Sequence, residues 1–232
     1  MNRTHSIELQ HINVKLLLKD SEALNHGHLD PVIPVFHSWI QRQVFDELLL
    51  DVADYRHVQG GPGVLLIGHE ADYSIDNTDN RLGFRYNRKA PLDGNNQERL
   101  AQATLAALTA CERSQGDTRL NGKLHFNGHD IEVFINDRLL APNSETTREA
   151  LNAEFRTFSE RLFGGREYSL SFGNDHRRLL AVSLRSAQAV SVEELITNLK
   201  SAAENPVKHK PSGVSSDEHG VREDLRIAQG AD

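Results

Sequence analysis

The chain changes hydrophobic period repeatedly along its length, and no other feature restricts its fold as much. In HINVKLLLKD, Ile12, Val14, Leu16 and Leu18 alternate with Asn13, Lys15, Leu17 and Lys19, the pattern of a strand with one buried face. DPVIPVFHSWIQRQV then repeats Ile33, Phe36, Ile40 and Val44 at helical spacing, with Asp30 as N-cap and Pro31 at the first helical position. ELLLDVADYRHV and VLLIG read as strands joined by the QGGPG turn. From there a strand pair precedes a helix three times. The second strands, LGFRYN, IEVFIN and LLAVSLR, place Tyr86, Ile135 and Leu184 49 residues apart both times, and helices follow at 96–113, 146–163 and 192–202.

This order predicts an α+β fold: a largely antiparallel, mixed sheet with four helices on one face and ββα-like internal repeats, in a single domain over residues 1–203. Read from RYN through REYSLSF, the same elements also fit β-α-β-β-α-β, the ferredoxin-like order. Asn127-Gly128 reads as a two-residue hairpin turn, which would set Leu124 opposite Ile131, Lys123 opposite Glu132 and His125 opposite Asp130. Helical stripes are clear in Leu100, Thr104, Leu108 and Cys111, and again in Leu151, Phe155, Phe158 and Leu162. Thr146/Glu149 and Ser191/Glu194 stand in capping-box spacing.

Composition removes several function classes. A formal charge of -7, with no cluster of Lys and Arg unrelieved by acids, argues against a nucleic-acid surface. The lone Cys111 cannot form an intramolecular disulfide or a multi-cysteine metal site and lies on an apolar stripe, so it reads as a packed thiol. No apolar run reaches the roughly 18 residues of a membrane span, and MNRTHSIELQHINVK has no leader pattern. A cytoplasmic protein without a membrane partner is expected, its oligomeric state open. Residues 204–232 carry mixed charges, two prolines and no aromatic residue, the composition of a flexible C-terminal tail.

No complete nucleotide, zinc or nucleophile signature is present, and the EF-hand pattern fails because Arg81 and Asn87 stand where Gly and Glu are required. The chemistry concentrates instead in GHEADYSIDNTDNR, residues 68–81. There about ten residues, 70–80, read as a long loop between strands, and long loops often carry function. The favoured reading is a small-molecule or anion-binding module. Arg85 and Arg88 would hold a negative group, with Tyr55, Tyr73 and Asn87 also on the ligand. The alternative is an enzyme with His69 as acid–base, oriented by Asp51 or Asp54. Asp72, Asp76 and Asp79 are candidate ligands for a divalent metal ion, the only cofactor suggested. A protein–protein scaffold is the third reading.

Overall fold

A computed structural model describes residues 7–19 and 29–204. The 205–232 part of the expected tail therefore lies outside the described residues. The strands are β1 (Ile12–Leu18), β2 (Leu49–Tyr55), β3 (Gly63–Gly68), β4 (Ala71–Asp76), β5 (Gly83–Arg88), β6 (Phe126–Ile135), β7 (Tyr168–Phe172) and β8 (Leu180–Ser186). The helices are α1 (Val32–Arg42), α2 (Asn96–Gly116), α3 (Glu145–Leu162) and α4 (Val192–Glu204). All the strands join one sheet in the order β2-β3-β4-β5-β1-β6-β8-β7. Among the described residues every pairing is antiparallel and none is parallel, so the fold is α+β as expected.

Two crossovers organise the centre. β5 and β6 both run antiparallel to β1 and hence parallel to each other; α2 connects them across β1. β6 and β7 likewise flank β8, with α3 as the connection. Each is a split β-α-β unit whose gap is filled by one antiparallel strand. Val14, Leu16, Tyr73, Phe84, Tyr86, Ile131, Val133, Val182 and Leu184 cover the helix side and are buried. The predicted stripes of α2 and α3 meet them: Leu100, Thr104, Leu108 and Cys111 are buried, as are Leu151, Phe155, Phe158 and Leu162.

Several local expectations are corrected. β1 is buried along all seven residues, on both faces, because it is central and its polar side chains are themselves covered. Asp30 does not cap α1: that helix has no side-chain cap, and Asp30 pairs with Arg56. The buried stripe of α1 is Val32, Val35, Phe36 and Trp39, so Ile33 and Ile40 mark its edges. The cap of α3 is Ser144, which accepts from Thr147 N at 3.2 Å, rather than Thr146. Ser191 does accept from Glu194 N at 3.1 Å, but the Glu194 carboxylate goes to Arg166.

The hairpin at Asn127-Gly128 is absent, and with it the second strand pair of the repeat and the ferredoxin-like parse. These residues lie within the continuous strand β6. There β6 advances from Phe126 to Ile131 while β1 advances only from Leu18 to Leu16, so the extra residues form a bulge. Gly128 serves a close approach instead: a Cβ there would stand 2.2 Å from the carbonyl oxygen of Val190, at the entry to α4. The long loop is also corrected. His69 and Glu70 make a short turn, and β4 follows at once, pairing Asp72 with Ile67 and Asn87. What the sequence suggested as a loop is mostly a sheet strand, since Tyr73 and Ile75 alternate with the polar residues Asp72, Ser74 and Asp76 on opposite faces.

Candidate functional site

The helix-free face of the sheet carries a row of charged and polar side chains. The paired residues Ser74, Arg85, Lys15, Glu132 and Ser183 form a row across β4, β5, β1, β6 and β8. Strand alternation puts them there, because the neighbours of Arg85, Phe84 and Tyr86, face the helices. Gly83 keeps the row's centre open: a Cβ at that position would meet Leu16 O at 2.4 Å and Lys15 Cε at 3.1 Å. Lys15 can thus lean across and donate to Asp76 Oδ1 at 2.6 Å, with both side chains almost fully buried.

Asp76 is heavily subscribed. Besides Lys15 it accepts from Thr78 Oγ1 at 2.8 Å and Thr78 N at 3.2 Å, while Arg85 stands 3.8 Å from its second oxygen. Burial lowers the Lys15 pKa, opposed by the attraction of Asp76. Glu132 has its carboxyl pushed up, again chiefly by burial, with Arg81 and Lys15 opposing. Arg81 bonds Glu132 and approaches Asp130 Oδ2 at 3.4 Å, the same oxygen that accepts from Arg185 at 2.6 Å. Arg85 is therefore the central cation with the weakest anionic partner. Its guanidinium lies over the Phe134 ring, 4.8 Å from the centroid.

Above this floor opens a cleft of about 570 Å³. Phe134, Ala181 and Ser183 continue the floor, and the connections at 78–81, 138–143 and 173–179 form the rim. The rim is tied together: Asn143 Nδ2 donates to Asp175 O at 3.0 Å, and Arg138 donates to Arg177 O. Five arginines line the cleft (81, 85, 138, 177 and 178) against Asp79, Glu132 and Asp175. Arg178 pairs with Asp79, and Arg177 with Asp175 at 3.0 Å, holding the Asp175 carboxyl down at about 2. Arg138 has no carboxylate within ion-pair distance among the described residues. The cleft thus presents surplus positive charge beside an aromatic platform, a setting suited to a carboxylate or phosphate oxygen.

The residues named from sequence are dispersed by this geometry. Arg85 and Asn87 lie on the helix-free face. Arg88 and Tyr73 lie on the opposite one, where both reach Glu47, so Arg85 and Arg88 do not share a ligand. His69 is exposed in its turn, and its ring has no hydrogen bond or ion pair among the described residues. Asp51 accepts from its neighbour Val52 N, and Asp54 is tied to Arg56, which holds its carboxyl at about 2. Tyr55 is 40% exposed at the end of the edge strand β2.

The three metal candidates separate too. Asp72 pairs with Lys89 at 2.7 Å, Asp76 with Lys15, and Asp79 with Arg178. Among the described residues no three His, Cys, Asp or Glu side chains are placed to share an ion. Sequence reading missed Phe134, Arg138, Arg177 and Arg178, whose convergence depends on strand order. Lys15, set between Val14 and Leu16, was missed as well, although a charge inside an apolar run is a visible signal.

Among the described residues, no helix is long and apolar enough to cross a membrane. No known protein family matches the chain, and no curated protein or solved structure shows significant similarity to it.

Proposed function

We propose that the protein binds a small anionic molecule in the cleft on the helix-free face, with Arg85 as the central contact and Arg138 as the second. One observation carries this reading. Arg85 is oriented by Phe134, yet its nearest carboxylate is already neutralised by Lys15 and saturated by Thr78. A guanidinium fixed in a partly enclosed cleft without a dedicated counter-charge has donors ready for a ligand oxygen. The lining of Asn143, Asn174 and Ser183 supplies further hydrogen-bonding groups, and the volume lies within the ordinary range for small-molecule sites, roughly 300–1,000 Å³.

Thermal stability measured against phosphate, citrate and a nucleoside monophosphate, at constant ionic strength, tests the reading. A ligand at 100 times its dissociation constant raises stability by about 2.7 kcal/mol. Arg85→Ala is expected to abolish the shift, Arg138→Ala to reduce it, and Arg156→Ala, on the exposed side of α3, to leave it unchanged. Equal shifts in the parent and Arg85→Ala would refute the site.

A further inference from the structure

On the other side of the sheet, a second polar cluster stands apart from the arginine cleft. Tyr73 and Tyr86 face the helices as a cross-strand pair, with ring centroids 5.2 Å apart. Arg88 follows on the same face of β5. All three converge on one carboxylate: Glu47 Oε2 accepts from Tyr73 Oη at 2.7 Å, and Oε1 accepts from Tyr86 Oη at 2.8 Å and from Arg88 Nη1 at 3.2 Å. Arg88 is itself aimed by donating from Nε to Ala90 O at 3.0 Å and from Nη2 to Pro91 O at 3.3 Å. Burial, followed by the adjacent Glu47 charge, pushes both phenols far up, so they remain donors throughout the working pH range.

The ownership of these groups matters. The three donors belong to the paired strands β4 and β5 and are positioned by the sheet. Glu47 comes from the irregular connection between α1 and β2, whose anchor is the neighbouring Phe45, stacked on Tyr73 at 4.9 Å. Its side chain rotates about three torsions, so the carboxylate can leave while Phe45 stays. Beside it opens a cleft of about 360 Å³, walled by Leu92 and by Gln102, Leu105, Ala106 and Thr109 of α2. Leu105 and Ala106 are only partly buried there. Glu47 and Arg88 keep 15% and 14% side-chain exposure, enough for access from solvent.

We propose that this cleft binds a small monocarboxylate with an apolar tail, whose carboxylate takes the place of Glu47 on the two phenols and Arg88 while the tail lies along α2. The exchange preserves the charge inside the cradle, so no buried donor is left without an acceptor, the usual obstacle to opening such a cluster. The displaced Glu47 regains water. In this arrangement Glu47 is a built-in competitor that keeps the empty site closed and sets the ligand concentration needed to open it.

Benzoate titrated at constant ionic strength, with neutral benzamide as control, tests the proposal through the backbone amide resonances of Gln102, Leu105 and Ala106. Benzoate is expected to give saturable shifts in the parent protein and benzamide none. Glu47→Ala, which removes the competitor, should bind benzoate at least tenfold more tightly, and Arg88→Ala should lose it. Arg85→Ala, on the opposite face, should bind as the parent does, which separates this site from the arginine cleft. A folded Glu47→Ala protein without benzoate-dependent shifts, or one that responds equally to benzamide, overturns the proposal. If Glu47→Ala does not fold, Glu47→Gln keeps the shape while removing the charge; affinity for benzoate no higher than the parent's then has the same force.

Discussion

Single residues in this protein are constrained by what lies one atom beyond them. Gly128 and Gly116 make the contrast. A Cβ on Gly128 would collide with the Val190 carbonyl, backbone that a rotamer change cannot relieve, whereas a Cβ on Gly116 at the end of α2 meets nothing within 4 Å. Gly128→Ala is expected to destabilise by about 1–3 kcal/mol or more through overpacking, and Gly116→Ala to be neutral or stabilising by up to about 1 kcal/mol, both read from chemical denaturation. Glu132 supplies a pH prediction. Its folded pKa is raised by burial, so the native state holds its proton more tightly than the unfolded chain. That contribution is fully present below the ordinary glutamate value, about 4.3, and is lost as pH rises through the higher folded value. Glu132→Gln should therefore gain stability relative to the parent as pH rises from acid toward neutral. A parent that gains relative to Glu132→Gln over that interval would show that the ion pair with Arg81 outweighs desolvation.

Among the elements, α3 was the most legible in sequence and is packed as its stripe implied. Phe155 is fully buried and meets Phe172 of the edge strand β7 edge-on, centroids 5.9 Å apart. Phe155→Ala should cost about 3–5 kcal/mol; a loss under about 0.5 kcal/mol would mean that α3 is not seated on β7. A double-mutant cycle with Phe172→Ala should return a coupling of about 0.5–1.5 kcal/mol. β6 was the least legible. Asn-Gly between alternating residues is the commonest short hairpin signal, but here the strand runs on through a bulge, held by β1 on either side of it and by β8 from Asp130 onward. At the sheet's other limit, the exposed Asp51 and Asp54 put charge along β2, which disfavours pairing of that edge with another chain.

For the whole molecule, the separation of the two faces decides how charge is used. The Lys15–Asp76 pair lies at the sheet's centre and leaves Arg85 available to the cleft. Lys15→Met would leave the Asp76 carboxylate buried with Arg85 as its nearest cation. Stability should fall by about 3–5 kcal/mol, and anion affinity at the cleft should fall as Arg85 is drawn to Asp76. Lys15→Met with Asp76→Asn removes both charges and should recover most of the stability and the affinity. Denaturation and anion titration on the two variants measure both effects. A double variant that regains stability but still fails to bind would show that Lys15 acts on the ligand directly.

The sequence by itself determined the class of fold, the largely antiparallel character of the sheet, the position of the helices and the stripes that α2 and α3 bury, because periodicity is a local property that each segment expresses alone. It also marked Arg85 as a candidate contact. The tertiary structure alone decided which polar residues meet. Strand order carried Arg138, Arg177 and Arg178 to the rim above Arg85, and placed β1 between β5 and β6 so that Lys15 could neutralise Asp76. The same alternation that made β5 readable divided Arg85 from Arg88, since side chains an odd number of positions apart on a regular strand point to opposite faces. Proximity in sequence therefore brought GHEADYSIDNTDNR to notice, but pairing across distant strands distributed its charges between two unlike surfaces.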